Sequence, residues 1–266
     1  RIHRDGLRRG PEEPHDTDRA RRSFLIPEKP VTKEQSPIIL AFSGGLDTSF
    51  CVPWLKENYN REVITACVDT GGIDKEAAIA LEKRSLALGA VEHLLIDAKQ
   101  EFFETVIRHL IAGNVLRGNA YPLCVGAERG LQAEKLARLA QERGATTVAH
   151  GCTAAGNDQV RFEVALRTLN PGLEVLAPVR DNSWVRDEQL AYLEQHDLPL
   201  PTQGSAYSIN RGLWGITIGG QETLTSEHSI PESAWVLSAN AFAEPLEPST
   251  HTLRFSKGIP AALDGK

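Results

Sequence analysis

The 266-residue chain has no methionine, few cysteines and no long apolar segment, and each scarcity narrows the possible functions. Because methionine is absent, there is no initiator, and we expect a processed chain or part of a longer reading frame. No apolar run approaches the roughly 18 residues that cross a bilayer, and no signal-peptide pattern is present. The four cysteines, Cys51, Cys67, Cys124 and Cys152, lack CxxC spacing. They predict reduced thiols in the cytoplasm rather than a zinc site or a secreted disulfide framework.

The chain also has no excess of positive charge. It contains 29 Lys and Arg residues and 35 Asp and Glu residues, which gives a net charge of −6. Such a balance argues against a nucleic-acid backbone as the partner. With 41% hydrophobic and 24% charged residues, the composition is that of a globular protein long enough for one large α/β domain or slightly more.

Apolar strands alternate with helical patterns over most of the chain. Residues 1–36 lack apolar periodicity and are predicted to be a disordered tail. The pattern then predicts strands at 37–43, 62–69, 91–97, 146–151 and 173–179. It predicts helices at 47–59, 74–89, 99–112, 124–143, 157–169 and 186–196.

Strands and helices at this spacing form βαβ units, and they predict a doubly wound parallel sheet with helices on both faces. The segments that follow these strands should share one edge of the sheet, where such folds bind ligands. We therefore assign 37–205 to a nucleotide-binding domain. The short antiparallel strands predicted within 206–266 indicate the beginning of a second α+β domain.

The first strand-to-helix junction reads IILAFSGGLDTSF, residues 38–50. Gly44 and Gly45 allow a tight turn, and the following helix start offers unpaired N–H groups and partial positive charge. Hydroxyls from Ser43, Thr48 and Ser49 complete a loop that suits phosphate or pyrophosphate. The segment matches neither GxxxxGK[ST] nor GxGxxG. The alternative is a plain strand-to-helix turn with a capping Ser or Asp.

A second polar segment, HGCTAAGNDQVRFE, covers residues 150–163 and follows the fourth predicted strand. Asn157, Asp158 and Gln159 precede Arg161, whose guanidinium can pair with a carboxylate or ureido oxygen. Such a set suits zwitterionic amino acids. The alternative is the charged start of a solvated helix, but the expected position on the same edge as SGGLDTS favours a site.

SGGLDTS resembles the loop of the PP-loop ATP pyrophosphatases, which cleave ATP between its α and β phosphates. Together with HGCTAAGNDQVRFE, the segments AYPL…AER at 120–129 and YSIN…LWG at 207–215 make the chain similar to the argininosuccinate synthase family over residues 37–260. The resemblance implies the PP-loop (adenine nucleotide alpha hydrolase-like) fold and a cytoplasmic, homotetrameric ligase of arginine biosynthesis and the urea cycle. This ligase forms a carbon–nitrogen bond by condensing citrulline with aspartate through citrullyl-AMP. It uses ATP with Mg²⁺ and no prosthetic group.

The resemblance also implies roles for individual residues. The residues expected to be catalytic are Ser43, Asp47 and Asp158. Those expected to bind ATP are Ala41, Phe42, Ser43, Gly44, Gly45, Leu46, Asp47, Thr48, Ser49, Val68 and Gly151. Those expected to bind citrulline are Tyr121, Asn157, Arg161, Ser208 and Thr217, and those expected to bind aspartate are Thr153, Asn157 and Asp158. The resemblance assigns no Mg²⁺ ligands.

Several of these residues have simpler interpretations. Tyr121 alone is equally typical of a core or loop aromatic, and Ser208 and Thr217 are equally typical of hydroxyls that cap turns. The imidazole of His150 is expected to be structural rather than a base.

The chain departs from the family pattern in three places. Gly126 stands where a small hydroxyl residue often contacts citrulline, which removes a hydrogen bond worth about 1 kcal/mol. Val179 replaces the tryptophan of a PWR run. Family members also continue beyond residue 266, so we expect 250–263 to be first strands without partners, and this chain to be poorly active or a fragment of an active enzyme.

Two other functions compete with the ligase. A PP-loop tRNA-modifying enzyme would need a basic surface and usually catalytic cysteines, and the acidic balance and scattered cysteines argue against it. A non-catalytic ATP-binding relic or fragment of the same family cannot be separated from the enzyme by sequence.

Overall fold

A five-stranded parallel sheet organises the chain, and it confirms the predicted fold class. The strands are β1 (Ile38–Ala41), β2 (Val63–Asp69), β3 (Glu92–Asp97), β4 (Thr147–His150) and β5 (Glu174–Leu176), in the spatial order β3-β2-β1-β4-β5. The computed structural model describes residues 35–154, 156–201, 207–238, 241, 244 and 247–266. The predicted tail, 1–36, lies almost wholly outside these described residues.

Helices cover both faces of the sheet. They are α1 (Leu46–Tyr59), α2 (Lys75–Ala87), α3 (Lys99–Phe102), α4 (Arg108–Ala112), α5 (Glu128–Glu142), α6 (Asp158–Leu169), α7 (Pro178–Asp181) and α8 (Arg186–Gln195). A π-helical segment, Phe103–Ile107, joins α3 to α4, so the helix predicted at 99–112 is present but changes its winding. No helix in the described part of the chain is long and apolar enough to cross a membrane.

Alternating side chains of β1 divide the core into two layers. Ile38 and Leu40 are buried on one face with Phe50 of α1 and Leu193 of α8. Ile39 is buried on the other face, where α5 and α6 pack. Burial on both faces explains why β1 reads as a continuous apolar run, as the inner strands of parallel sheets do.

The strand register brings the functional loops together. Ala41 at the end of β1 lies opposite both Ala66 in β2 and His150 at the end of β4. The loops that follow these strands therefore meet at one edge of the sheet, as predicted.

Two predictions of element bounds are wrong. Strand β5 ends at Leu176 rather than at 179, because Pro178 begins the short helix α7, in which proline at the first position is favoured. Helix α5 begins at Glu128 rather than at 124, after a turn in which Leu123 has a positive φ of 62°.

Two hairpins follow the sheet. Strands β6 (Ser208–Gly212) and β7 (Gly215–Gly219) pair antiparallel, and so do β8 (Leu253–Ser256) and β9 (Ile259–Leu263). The expectation that residues 250–263 lack partners is therefore wrong, because β8 and β9 pair with each other. Short helical turns lie between the hairpins at Gln221–Leu224 and Glu232–Ala234. The division at residue 205 stays a prediction.

Candidate active site

The loop between β1 and α1 presents the start of a helix to the sheet edge. Gly44 has a φ of +75°, and a Cβ there would lie 2.5 Å from Leu81 Cδ2, so both its backbone conformation and its surroundings favour glycine. The Ser43 N–H donates to Thr48 Oγ1 over 3.3 Å, and the Thr48 hydroxyl contacts the Gly45 carbonyl over 3.3 Å. The first N–H groups of a helix lack intrahelical partners, so this loop offers donors for an anion.

A cleft of about 360 Å³ opens in front of this loop. Its size is within the range of small-molecule sites. The residues predicted for ATP or aspartate that line it are Ala41, Phe42, Ser43, Gly45, Asp47, Thr48, Val68, Gly151, Thr153 and Asp158. Gly44, Leu46 and Ser49 do not line it, and their predicted contact with ATP stays a prediction.

A second cleft, of about 230 Å³, adjoins the first. It gathers four of the five residues predicted for citrulline, Tyr121, Asn157, Arg161 and Thr217, from separate parts of the sequence. The fifth, Ser208, lies on β6, but its side chain is outside the described set. Asp158 and Asn210 line both clefts, which therefore share a wall.

Two arginines hold the carboxylate of Asp158. Its Oδ1 accepts from Arg161 Nη1 over 2.6 Å, and its Oδ2 accepts from Arg129 Nε over 3.1 Å. Arg129 also donates to Gln132 Oε1 over 2.7 Å and to Asn210 Oδ1 over 3.3 Å. Its side chain is only 13% exposed, so the guanidinium is held firmly in the wall of the first cleft.

The hydroxyl group of Tyr121 is held by two backbone N–H groups. Its oxygen accepts the N–H groups of Val125 and Gly126 over 3.3 and 3.4 Å. Among the described residues no acceptor contacts its own proton. Gly126 lies beside Arg161, because a Cβ at that position would be 3.4 Å from the guanidinium carbon. The glycine therefore leaves space where a larger residue would press on the guanidinium.

One backbone and one side-chain hydrogen bond dock the hairpin of β6 and β7. The Leu213 N–H donates to the Thr70 carbonyl over 2.8 Å, and Trp214 Nε1 donates to the Pro122 carbonyl over 2.6 Å. A Cβ at Gly212 would lie 2.1 Å from Glu128 Oε1, so this approach has no room for a side chain. Docking places Asn210 and Thr217 in the cleft walls.

Glu128 is buried beneath that hairpin and accepts a 2.7 Å hydrogen bond from the Thr70 hydroxyl and a 3.2 Å bond from Gln132 Nε2. Burial raises the pKa of its carboxyl, and the Thr70 hydrogen bond partly opposes this.

His150 lies at the floor of the first cleft and is 1% exposed. Its Nδ1 accepts the Cys152 N–H over 3.2 Å, and its ring stacks on Phe162 with centroids 5.8 Å apart. Burial lowers the pKa of the imidazole to about 4. A neutral, stacked imidazole agrees with the structural role expected for this residue.

The sequence did not predict that Arg129, Gln132 and Asn210 line the first cleft. Arg129 belongs to the AER segment, and its charge beside a helix start was the one available signal. Asn210 gave none, because the docking of the hairpin alone brings it to the cleft.

A family model described as the arginosuccinate synthase N-terminal HUP domain matches residues 37–199. Curated relatives agree with it. The chain is 42% identical over 230 residues to argininosuccinate synthase of Lactococcus lactis subsp. cremoris, with 86% of this chain and 57% of the relative covered. It is 41% identical over 233 residues to the Bacillus pumilus enzyme, with 87% and 57% covered.

A more distant relative gives the same result. Over 228 residues the chain is 38% identical to argininosuccinate synthase of Methanocaldococcus jannaschii, with 86% and 57% covered. The chain thus spans 57% of the length of these curated relatives. The family model covers more than half of the chain, with all five strands of the parallel sheet, and the chain belongs to the argininosuccinate synthase family.

Proposed function

We propose that the protein acts as an argininosuccinate synthase, condensing citrulline with aspartate at the cost of ATP. The observation that carries the proposal is the pair of adjoining clefts with a common wall at Asp158 and Asn210. One cleft contains the anion-binding helix start. The other contains an arginine and a tyrosine hydroxyl suited to an amino acid with a ureido group. Two reactants that must meet at phosphorus need this adjacency.

ATP is proposed to occupy the first cleft, with its phosphates at the Ser43–Thr48 loop and its base near Val68 and Gly151. Mg²⁺ enters with the nucleotide as part of the substrate complex. In the described part of the chain no group of three or more His, Cys, Asp or Glu residues could hold a metal ion. An ion carried mainly by phosphates and water needs no such group, because Mg²⁺ usually binds proteins through one or two carboxylates and the substrate phosphates.

Citrulline is proposed to occupy the second cleft, where Arg161 and Asn157 face its polar ends and Tyr121 donates to it. Thr217 and Ser208 would complete the binding from the hairpin. Aspartate is proposed to bind at the shared wall, at Thr153, Asn157 and Asp158.

The reaction has two displacements. The ureido oxygen of citrulline attacks the α-phosphorus of ATP, the bond to the bridging oxygen breaks, and pyrophosphate leaves. The amine of aspartate then attacks the ureido carbon of citrullyl-AMP, AMP leaves, and the amine loses a proton. The protein positions the reactants and stabilises charge, so a protein nucleophile is not required. Ser43 and Asp47 are proposed to act on the phosphates and Asp158 on the aspartate amine.

Several broader properties are proposed on the family relationship alone. They are a cytoplasmic location, a role in arginine biosynthesis or the urea cycle, and homotetramer formation by the whole protein. We also retain the proposed division into a nucleotide-binding domain at 37–205 and the beginning of a second domain at 206–266.

Pyrophosphate release from Mg-ATP by the 266-residue chain tests the proposal. We expect release to require citrulline, and argininosuccinate to form only after aspartate is added. If ATP binds but citrulline causes no release, this chain is a nucleotide-binding part of the enzyme and not an enzyme by itself. If neither ATP nor citrulline binds, the proposed site is wrong.

A further inference from the structure

Gln189 is a buried polar residue on α8, and core packing does not explain why a polar side chain lies there. It is 2% exposed, and its Nε2 donates to Asp47 Oδ1 over 3.0 Å and to the Trp184 carbonyl over 3.3 Å. Both amide protons are thus in use. The Oε1 atom is buried and has no hydrogen-bond partner among the described residues.

A buried amide with an unpaired oxygen destabilises a fold, so a purely structural role would favour an apolar side chain here. The contact between α8 and α1 does not need the amide. Phe50 of α1 and Leu193 of α8 are fully buried in one core layer, and the rings of Phe50 and Trp184 lie 4.9 Å apart. What the amide adds is its bond to Asp47, which lies 142 residues away in the sequence.

Asp47 stands in the first turn of α1 and lines the first cleft. A carboxylate beside phosphates repels them unless it is directed at a cation or a hydroxyl donor, so its orientation matters. The bond from Gln189 fixes Oδ1. The same amide turned around would set its oxygen against the carboxylate, so the orientation of the amide is determined as well. Because the donor is neutral, it fixes Asp47 without cancelling its charge.

We propose that Gln189 is a positioning residue that holds the Asp47 carboxylate in the orientation required by a nucleotide bound in the first cleft. This inference rests on the proposed function, since it assumes that ATP enters that cleft. Gln189 itself does not line the cleft.

Gln189→Glu replaces the amide with a carboxyl group that can donate the same hydrogen bond only when it is protonated. When the introduced carboxyl is protonated, it donates a hydrogen bond as the amide does, whereas its ionised form faces Asp47 with like charge. Such a pair shares one proton, and the pKa of the second carboxyl rises. Two thiols, Cys51 on α1 and Cys152 after β4, are electrostatically coupled to Asp47. Burial raises the pKa of Cys152 to about 11 and that of Cys51 further, so both stay neutral between pH 5 and 8.

Charged groups on the neighbouring elements are ion-paired with each other. Arg129 on α5 and Asp158 on α6 form an ion pair in the wall of the first cleft, and Arg180 and Asp181 form another on α7. The imidazole of His150 at the cleft floor is neutral above pH 5, since burial lowers its pKa to about 4. A pH effect unique to the variant therefore reports on the introduced carboxyl.

The experiment measures the dissociation constant of Mg-ATP by calorimetry between pH 5 and 8 for the full chain, with Gln189→Glu and Gln189→Leu. The matched control is Gln195→Glu, which adds the same charge to an exposed position of the same helix. We expect Gln189→Glu to bind as the wild type does near pH 5 and about tenfold more weakly at pH 8. Gln189→Leu should bind about tenfold more weakly at every pH, and Gln195→Glu should follow the wild type.

The outcomes separate the inference from the function. If the wild type binds ATP and Gln189→Glu follows its pH profile, the inference is overturned and the proposed function stands. If Gln189→Glu fails to fold, Gln189→Leu decides, and wild-type affinity in that variant overturns the inference. If the wild type does not bind ATP at any pH, the proposed function is overturned together with the inference.

Discussion

Replacing Gly151 with alanine should damage both the fold and the nucleotide site, because Gly151 is where the loop after β4 touches the start of α1. A Cβ at Gly151 would lie 2.9 Å from Thr48 Cγ2, 3.1 Å from Thr48 N and 3.2 Å from the Asp47 carbonyl carbon. Two of these three atoms belong to the backbone, and a backbone atom cannot move aside by a rotamer change. The methyl group must therefore separate β4 from α1.

The size of the effect follows from the packing of α1. Phe50, Cys51, Val52 and Leu55 are all completely buried, so the helix cannot shift without disturbing one core layer. Overpacking of this kind costs about 1–3 kcal/mol. We expect Gly151→Ala to lower the free energy of unfolding by about 2 kcal/mol. We also expect weaker ATP binding, since the displaced atoms form the loop at which the phosphates are proposed to bind.

Urea unfolding followed by tryptophan fluorescence measures the first effect, and calorimetry with Mg-ATP measures the second. Gly130→Ala is the matched control, because Gly130 lies in α5 and a Cβ there would meet nothing within 4 Å. Alanine in a helix is favoured over glycine by up to about 1 kcal/mol, so the control should be as stable as the wild type or more stable. If Gly151→Ala unfolds at the same urea concentration as Gly130→Ala and binds ATP normally, the close contact inferred here is wrong.

Three further predictions concern charged or polar residues. Burial raises the pKa of the Glu128 carboxyl, so this carboxyl holds a proton more tightly in the folded protein than in the unfolded protein. The stability that this group contributes therefore falls as the pH rises above its pKa in the unfolded protein. Glu128→Gln should be more stable than the wild type at pH 7 and should lose that advantage near pH 4, as urea titrations at both pH values would show. His150 has the opposite dependence: its pKa is lowered to about 4, so the wild type should lose about 3 kcal/mol as pH falls from about 6.5 to 4, and His150→Gln should not. Asp158→Ala should weaken aspartate binding about tenfold by calorimetry, because its carboxylate fixes Arg129 in the first cleft and Arg161 in the second. An unchanged pH profile in either titration, or unchanged aspartate affinity, would contradict the corresponding assignment.

The sequence predicted the parallel sheet because its signals are local. Ile38 to Leu40 form a continuous apolar run, each following helix has its own stop or start signal, and strand-to-helix spacing restricts the connections to right-handed crossovers. The same reasoning extended β5 to residue 179, beyond its end at Leu176, because the apolar run continues through Val179. Pro178 instead starts α7, whose backbone turns back to pack Val179 into the core.

The cleft was predictable only where its residues lie in contiguous motifs. SGGLDTS and GNDQVRFE each place several groups at one strand end, and the register of β1 and β4 brings the two segments together. Asn210 and Gln189 reach the site through tertiary contacts instead. Arg129 to Asn210 spans 81 residues and Asp47 to Gln189 spans 142, and no periodicity within either segment records such a pair.

Both arginines that line the two clefts are ion-paired inside the protein, and this limits what a bound carboxylate can gain. Arg129 in the first cleft and Arg161 in the second share the carboxylate of Asp158. An entering carboxylate must therefore compete with a protein carboxylate for the guanidinium, and it gains only the difference between two similar bonds. Exchange of this kind favours selectivity over tight binding, because a ligand that lacks an ammonium group leaves Oδ1 of Asp158 without a hydrogen-bond donor. An amino acid offers both groups: its carboxylate can replace Asp158 at Arg161, and its ammonium can replace Arg161 at Asp158. The Arg161–Asp158 pair therefore suits a zwitterion, such as the two amino acids proposed as substrates.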